Sequence, residues 1–321
     1  MKKEIPAKLP VLIIAYSRPK GVHALVKTLL ECGVKDIYIA IDGPRNLKDE
    51  LNQSEIVEIL QRYTSDSRIT INKRKYNLGV AGGVISAVDW FFSKVEMGLI
   101  LEDDLVIGID LVQFIQTSLE RYKEDENVWM ISGSQHFPNH MNPKLSVWCN
   151  YPMIWGWAGW AIKWKEMRRL LLEKKPITLK QLLDHRYLFW AVGANRALSG
   201  KLDTWDIPLA FEFMHRKKLC LLPPVNLVSN IGADDVATHT KFISRSMNQK
   251  IERIDINYCY PEAILTQSMS KYNLILEQRI YKIELRHLFI PYYSFLLDVF
   301  RHRRNRRSLP LKLKLSQLHS D

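Results

Sequence analysis

The chain has little cysteine and no long apolar run. Its four cysteines, Cys32, Cys149, Cys220 and Cys259, lie scattered through 321 residues without paired spacing. That excludes a disulfide framework and a zinc site, and it fits a reducing compartment. No window reaches the ~18 apolar residues of a membrane-spanning helix. The opening Met1-Lys2-Lys3-Glu4-Ile5-Pro6 carries no signal-peptide core. A soluble, cytoplasmic protein is expected. Two common phosphate cradles are missing as well. G-x-x-x-x-G-K followed by Ser or Thr does not occur, and the turn after the first apolar run, Tyr16-Ser17-Arg18-Pro19, has no G-x-G-x-x-G. Neither repeats nor low-complexity segments are visible.

What remains is ordinary globular material, 47% hydrophobic and 25% charged. Its length suits one large domain or a domain with an appendage. Residues 11–15 form a continuous apolar run, as in a strand covered on both faces. Val22, Leu25, Val26, Leu29 and Leu30 follow at helical spacing, with Gly33 as a C-terminal cap. Residues 37–41 read as a second strand and 68–71 as a third, with a helix patterned on Ile56, Val57, Ile59, Leu60 and Tyr63 between them. A glycine-led helix opens at Asn77, and an amphipathic one opens at Asp110, with Gln113 completing a capping box. Residues 128–133 and 145–150 read as later strands. Strands alternating with helices define an α/β class with a parallel sheet. From Trp155 the pattern turns aromatic, and Trp157, Trp160 and Trp164 read as one core-facing helical stripe. The expected domains are 1–245, with a nucleotide-binding half 1–135 and an acceptor half 136–245, and a helical appendage 246–321.

The stretch from Leu99 to Ile107 sets three consecutive carboxylates, Glu102, Asp103 and Asp104, in an apolar run. A buried, unpaired charge is expensive, so the cluster implies a cation or a strained functional site. Oxygen ligands suit Mg²⁺ or Mn²⁺; the alternative is a solvated acidic turn. In open α/β sheets ligands sit beyond the carboxyl ends of the strands, and Ala15-Tyr16, Asp42 and the acidic triplet all fall at such ends. Gly79, Gly82 and Gly83 either allow close helix–sheet packing or open a helix N-terminus to a ligand.

Ala15-Tyr16-Ser17-Arg18-Pro19, Asp42-Gly43-Pro44, Asn77-x-Gly79, Glu102-Asp103-Asp104 and the later Trp-Asp and Asn-x-Gly elements, in that order, resemble the GT-A nucleotide-diphospho-sugar transferases over about residues 8–245. The likeness is to bacterial surface-polysaccharide transferases distantly related to N-acetylglucosaminyltransferase I. It implies a GT-A, Rossmann-like fold: a mixed, mainly parallel sheet flanked by helices, with the helical C-terminal appendage outside the resemblance. It implies metal-dependent, inverting transfer of a hexosyl or N-acetylhexosaminyl group from a nucleotide sugar, with a UDP-sugar as expected donor. The acceptor is a glycan or a lipid-linked one, in surface polysaccharide assembly. On this resemblance Asp104 is the direct ligand of Mn²⁺ or Mg²⁺, with Asp103 beside it, while Glu102 and Asp103 orient the donor. Asp42 contacts the base, Ala15, Tyr16 and Arg18 surround the nucleotide, and Asn77 and Gly79 complete that site. Trp155 and Trp157, flanking Gly156, are candidates to line the sugar pocket with flat apolar rings.

An inverting transfer needs a general base for the acceptor hydroxyl. Asp203 and Asp206 flank Trp205; the resemblance favours Asp206, which otherwise caps a helix, and Glu212 stands in reserve. His239 either reaches the diphosphate or the metal, or is a hydrogen-bonded loop residue. Ala233-Asp234-Asp235 departs from the Gly-Glu-Asp of many bacterial relatives. Two other classes compete: a sugar-nucleotide-forming nucleotidyltransferase, whose glycine-rich basic loop is absent after the first strand, and a non-catalytic GT-A scaffold or binding protein.

The net charge of +12 is concentrated late: seven Lys and Arg lie between Arg301 and Lys314, after the apolar, aromatic run 288–297. Such a pairing suits an anionic membrane surface, so 288–314 is expected either to dock peripherally at the inner face of a membrane or to be a solvated tail. No nucleic-acid recognition motif accompanies the charge.

Overall fold

The structure, a computed structural model, describes residues 8–63, 68–177, 183–232, 249–255, 257–261 and 266–283. In chain order the first elements are β1 (Val11–Ala15), α1 (Pro19–Glu31), β2 (Asp36–Ile41), α2 (Leu47–Gln61), β3 (Arg68–Lys73) and α3 (Gly79–Phe92). Then come β4 (Met97–Glu102), β5 (Leu105–Ile107), α4 (Asp110–Tyr122), β6 (Val128–Ser132), β7 (Val147–Cys149) and β8 (Trp157–Trp160). The later elements are α5 (Ala161–Leu171), α6 (His185–Leu198), α7 (Asp206–Arg216), β9 (Leu219–Leu222), β10 (Val228–Asn230) and α8 (Thr266–Leu276). A π-helical turn, Glu277–Tyr281, continues α8.

The fold is mixed α/β. Eight strands form one sheet in the order β3-β2-β1-β4-β8-β6-β9-β7, and β5 pairs with β10 in a separate ribbon. β1, β2, β3 and β4 are mutually parallel, and so are β6 and β9. β8 runs antiparallel between β4 and β6, and β7 antiparallel beside β9. Alternate residues of each strand feed opposite cores, as the two-residue period requires. Leu12 and Ile100 pack under α3, α5, α6 and α7, whereas Val11, Ile13, Leu99 and Leu101 pack against α1, α2 and α4. From β1 the chain winds outward to β3, then returns to lay β4 on the other side of β1. The strand order therefore reverses between β1 and β4, where open α/β sheets form a crevice.

Two local expectations are corrected. Trp157 and Trp160 belong to β8, and the helix begins only at Ala161. The helical stripe does not exist because Gly156, at φ +62°, turns the chain into a strand that adds to β4. Asp110 forms no capping box: α4 has no side-chain cap, and the Asp110 carboxylate accepts from Arg253 Nε (2.7 Å) and the Ile254 N–H (2.9 Å). The acidic triplet falls at a strand end as expected: β4 stops at Glu102, and Asp103-Asp104 turn the chain into β5.

The described part of 246–321 is packed onto the sheet. Tyr272 and Leu276 are buried in the α3-side core, Asn273 and Asn150 exchange hydrogen bonds, and Tyr151 Oη donates to Glu277 (2.8 Å). Among the described residues no helix is long and apolar enough to cross a membrane. The segment 288–314 lies outside them.

Candidate functional site

β1 and β4 end side by side, with Ile14 opposite Glu102. The chain leaving β1 folds back over the acidic turn. Asp103, only 4% exposed, accepts from the Tyr16 N–H (2.7 Å) and from Arg18 Nη1 (3.0 Å). A Cβ at Gly21 would stand 1.9 Å from the Asp103 carbonyl oxygen, so a glycine is required where α1 crosses the turn. Burial pushes the Asp103 carboxyl above its ordinary value, against the pull of Arg18. Asp103 is thus a strut between two loops.

Asp104 has a different setting. Its carboxylate lies 3.5 Å from both Arg18 Nη1 and Asn230 Nδ2, and its carbonyl accepts from the Ile231 N–H (2.9 Å). Gly232 is pressed against it, since a Cβ there would come within 2.3 Å of Oδ2. Glu102 is held mostly out of water; burial, reinforced by Asp104, Asp103 and Asp206, raises its carboxyl to about 8, with Arg18 opposing. Glu102 is therefore largely protonated at neutral pH, and Arg18 faces both Asp103 and Asp104 across the floor of the crevice.

The second wall is the start of α3. Asp42, at the end of β2, accepts from the Leu78 N–H (3.0 Å) and Asn77 Nδ2 (3.0 Å). Asn77 in turn accepts from the Gly79 N–H (3.1 Å), and Gly79 holds φ +73°, a conformation that favours glycine. Asp203, more than a hundred residues later, accepts from the Val80 N–H (3.0 Å) and the Ala81 N–H (3.2 Å). Side chains of the protein itself thus cap the leading N–H groups of this helix. The glycines do not open them to a phosphate. Instead Gly83 lets α3 approach Asp42, whose Oδ2 would be 3.2 Å from a Cβ at that position.

Tyr16 forms part of the rim. Its hydroxyl donates to Asp49 and accepts from Arg45 Nε (2.6 Å), while the Arg45 guanidinium lies 4.7 Å from the centre of the ring. Burial and the Asp49 carboxylate raise the phenol to about 12, so it stays protonated and its ring stays fixed.

These walls enclose a cleft of about 290 Å³. It gathers most of the residues singled out in sequence: Ala15, Tyr16 and Arg18; Asp42, Asn77 and Gly79; Glu102, Asp103 and Asp104; Trp155, Asp203 and Asp206. Two candidates lie elsewhere. Trp157 is 1% exposed and packs in the core against Trp164 and Trp205, whereas Trp155, across Gly156 with its positive φ, packs against the opposite core. Glu212 is buried on α7 between Lys175 and Arg216, outside the cleft lining. His239 and residues 233–235 lie outside the described residues. The cleft also contains Asn230, from the later Asn-x-Gly element, and Arg45, Arg74 and Thr204, which sequence reading did not single out. Arg74 follows β3 directly, so the strand-end rule applied to that strand would have found it.

Among the described residues no three His, Cys, Asp or Glu side chains are gathered to hold a metal ion. Asp103 accepts at both oxygens within 3.0 Å, whereas Arg18 Nη1 and Asn230 Nδ2 stand 3.5 Å from the Asp104 carboxylate, so an ion here would be reached by Asp104. One or two carboxylates suffice for Mg²⁺ or Mn²⁺ when substrate phosphates supply other ligands, so the residues present fit an ion shared with a diphosphate and do not form an all-protein cage.

No protein-family model matches the chain. Among solved structures it is similar to a UDP-glucose pyrophosphorylase complexed with UDP-glucose, with TM-score 0.37 and 10% identity over 67% of this chain and 90% of that one. It is also similar to the inositol-1-phosphate CTP transferase from T. maritima, with TM-score 0.36 and 9% identity over 71% of this chain and 91% of that one.

Proposed function

We propose that the cleft binds a nucleoside-diphosphate sugar and that the protein is a metal-dependent, inverting glycosyltransferase of GT-A type. The observation that carries this reading is convergence. Strand-end residues of the β1–β4 crevice, Tyr16, Asp42 and Asp104, share one cleft with Asp206 from the acceptor half. In this reading Asp42 and Tyr16 hold the nucleoside, and Arg18 and Arg45 face the phosphates. Trp155 offers its ring to the sugar. Asp206 accepts the proton of an acceptor hydroxyl as that oxygen bonds to the anomeric carbon and the bond to the nucleoside diphosphate breaks. A divalent ion on Asp104 would stabilise the charge gathering on the leaving diphosphate.

The second reading is a sugar-nucleotide-forming nucleotidyltransferase, the class to which both similar structures belong by name. Against it stands Tyr16-Ser17-Arg18-Pro19, which has no glycine-rich basic loop, and the capped start of α3. One experiment separates the readings. The protein is incubated with a panel of sugar nucleotides and Mn²⁺, and, in parallel, with nucleoside triphosphates and sugar phosphates. Release of nucleoside diphosphate, abolished by EDTA, supports glycosyl transfer; release of pyrophosphate supports the second reading. Binding of a sugar nucleotide without turnover in any arm would point to a non-catalytic scaffold.

The acceptor class, a glycan or lipid-linked molecule in surface polysaccharide assembly, and peripheral membrane contact through 288–314 belong to the same proposal, supported by the charge and aromatic pattern of that segment. Sedimentation with anionic vesicles, compared for the full chain and a chain ending at Ile283, tests the contact. Equal partitioning would remove it.

A further inference from the structure

We infer that Asp203 is a positioning residue, not a second general base: it ties the loop leading into Asp206 to the start of α3 and so holds Asp206 over the donor site. The inference rests on the glycosyltransferase reading for its kinetic consequence but not for its structural one.

Residues 199–205 join α6 to α7 and supply the cleft with Asp203, Thr204 and Trp205, and Asp206 follows as the first residue of α7. Two contacts tie the end of this loop to the rest of the fold. Asp203 accepts from the Val80 and Ala81 N–H groups, at 3.0 and 3.2 Å. Trp205, 3% exposed, lies with its ring 5.9 Å from that of Trp157 in the core. Between and after these anchors, Thr204 Oγ1 donates to the Asp206 carboxylate. Trp205 is the N-cap position of α7 and makes no side-chain cap bond, so the approach of the chain to Asp206, the first residue of α7, is set by the loop before it.

The Asp203 carboxylate accepts one helix N–H at each oxygen, at the positive end of the α3 dipole. That geometry is an anchor's: an oxygen swung toward an acceptor hydroxyl would give up its bond to α3. The anchor spans the two halves of the chain. α3 carries the wall formed with Asp42, and the loop leads into Asp206, so the Asp203 contacts set the distance between donor wall and base. Losing them would leave the base present but loosely held.

The test uses the full chain and the variants Asp203→Ala and Asp203→Asn, the latter keeping an acceptor oxygen for the helix. The first arm is amide hydrogen exchange without substrate. In Asp203→Ala, protection is expected to fall at Val80 and Ala81 and also across 204–206, whereas Asp203→Asn restores most of it. Unchanged exchange across 204–206 in Asp203→Ala overturns the inference, whatever the reaction. The second arm measures UDP binding with Mn²⁺ by tryptophan fluorescence and turnover on whichever UDP-sugar the wild type hydrolyses or transfers. Asp203→Ala is expected to lose at least ~10-fold in kcat with UDP affinity within ~2-fold of wild type, because misplacing a catalytic group costs rate before it costs binding. A kcat unchanged per folded molecule reduces Asp203 to a helix cap and overturns the inference. Wild-type protein that neither binds UDP nor turns over any UDP-sugar overturns the functional reading instead, while the exchange arm still decides the tether.

Discussion

Glu212 on α7 and Glu102 at the end of β4 are both carboxylates held out of water, and their surroundings are opposite. Glu212 is met by two cations: Lys175, itself buried, and Arg216 Nε at 2.7 Å. Lys175 also donates to the Leu170 carbonyl (2.8 Å), so the buried carboxylate and the buried ammonium both find their partners within the protein. Glu102 is met by more carboxylates, Asp103, Asp104 and Asp206, with Arg18 as the opposing charge. A buried acid with its counter-charges in the protein is architecture. An acid crowded by other acids, at the switch point of an α/β sheet, is instead held in its protonated form, the kind of perturbed carboxyl that marks a candidate functional site. The same residue type thus takes two roles, and charge balance separates them.

The sharpest way to break the comparison is to remove one acid from each region. Asp206→Asn is expected to reduce kcat by ~10³-fold, within the range for loss of a general base, with little change in melting temperature. Asp104→Asn should abolish the dependence of turnover on Mn²⁺ concentration. Steady-state kinetics on the sugar nucleotide found in the panel checks both. Wild-type rates in Asp206→Asn would return the base role to an unassigned group. Glu212→Ala is expected to do the reverse. It leaves Lys175 buried without its partner, which costs about 3–5 kcal/mol of stability, and turnover per folded molecule is unaffected. Urea unfolding read beside the kinetics separates the two effects.

Much of this division was invisible in the sequence for identifiable reasons. The apolar run of β1 announces a doubly covered strand because both faces demand the same chemistry, and the strand-end rule then points to Tyr16, Asp42 and the acidic triplet. Charge balance is different, since it depends on partners far apart in the chain. Lys175 is 37 residues from Glu212, and Asp203 is 123 residues from Val80. Nothing near Asp203 reveals that its oxygens are taken, and near Glu212 only Arg216, four residues on, announces one partner. Trp157 and Trp160 misled for a local reason. Residues at i and i+3 fit one helical turn as well as a four-residue strand, and the deciding feature was the positive φ of Gly156, which side-chain pattern does not register.

A buried base extends the comparison to the other sign. His136 stands behind Trp155, with ring centres 5.1 Å apart, and its Nδ1 is buried without a hydrogen-bond partner. Burial alone lowers the imidazole from 6.5 to about 4. The folded state therefore favours the neutral ring. The resulting stability is complete above the unfolded value near pH 6.5 and is lost as pH falls through the window down to about 4. The expected loss across that window is on the order of 3 kcal/mol, and His136→Gln should flatten it. Unfolding free energies measured at pH 7, 5.5 and 4.5 decide the point; equal slopes for wild type and variant would mean that other groups carry the acid sensitivity.

The smallest expected effect tests whether balance in the Glu212 cluster resides in the buried partner. The Arg216 side chain is 39% exposed, whereas that of Lys175 is 2% exposed. In Arg216→Ala the Lys175–Glu212 pair stays intact and water replaces the lost guanidinium, so the cost should be at most ~1 kcal/mol, as for solvent-exposed ion pairs. Salt should shrink that cost further, because an exposed pair is screened and a buried one is not. Urea unfolding of wild type and Arg216→Ala at low and high NaCl measures both numbers. A loss as large as that of Glu212→Ala, and insensitive to salt, would mean that Glu212 needs both cations. The cluster would then be as far from self-sufficient as the cleft, and charge balance would no longer distinguish the two regions.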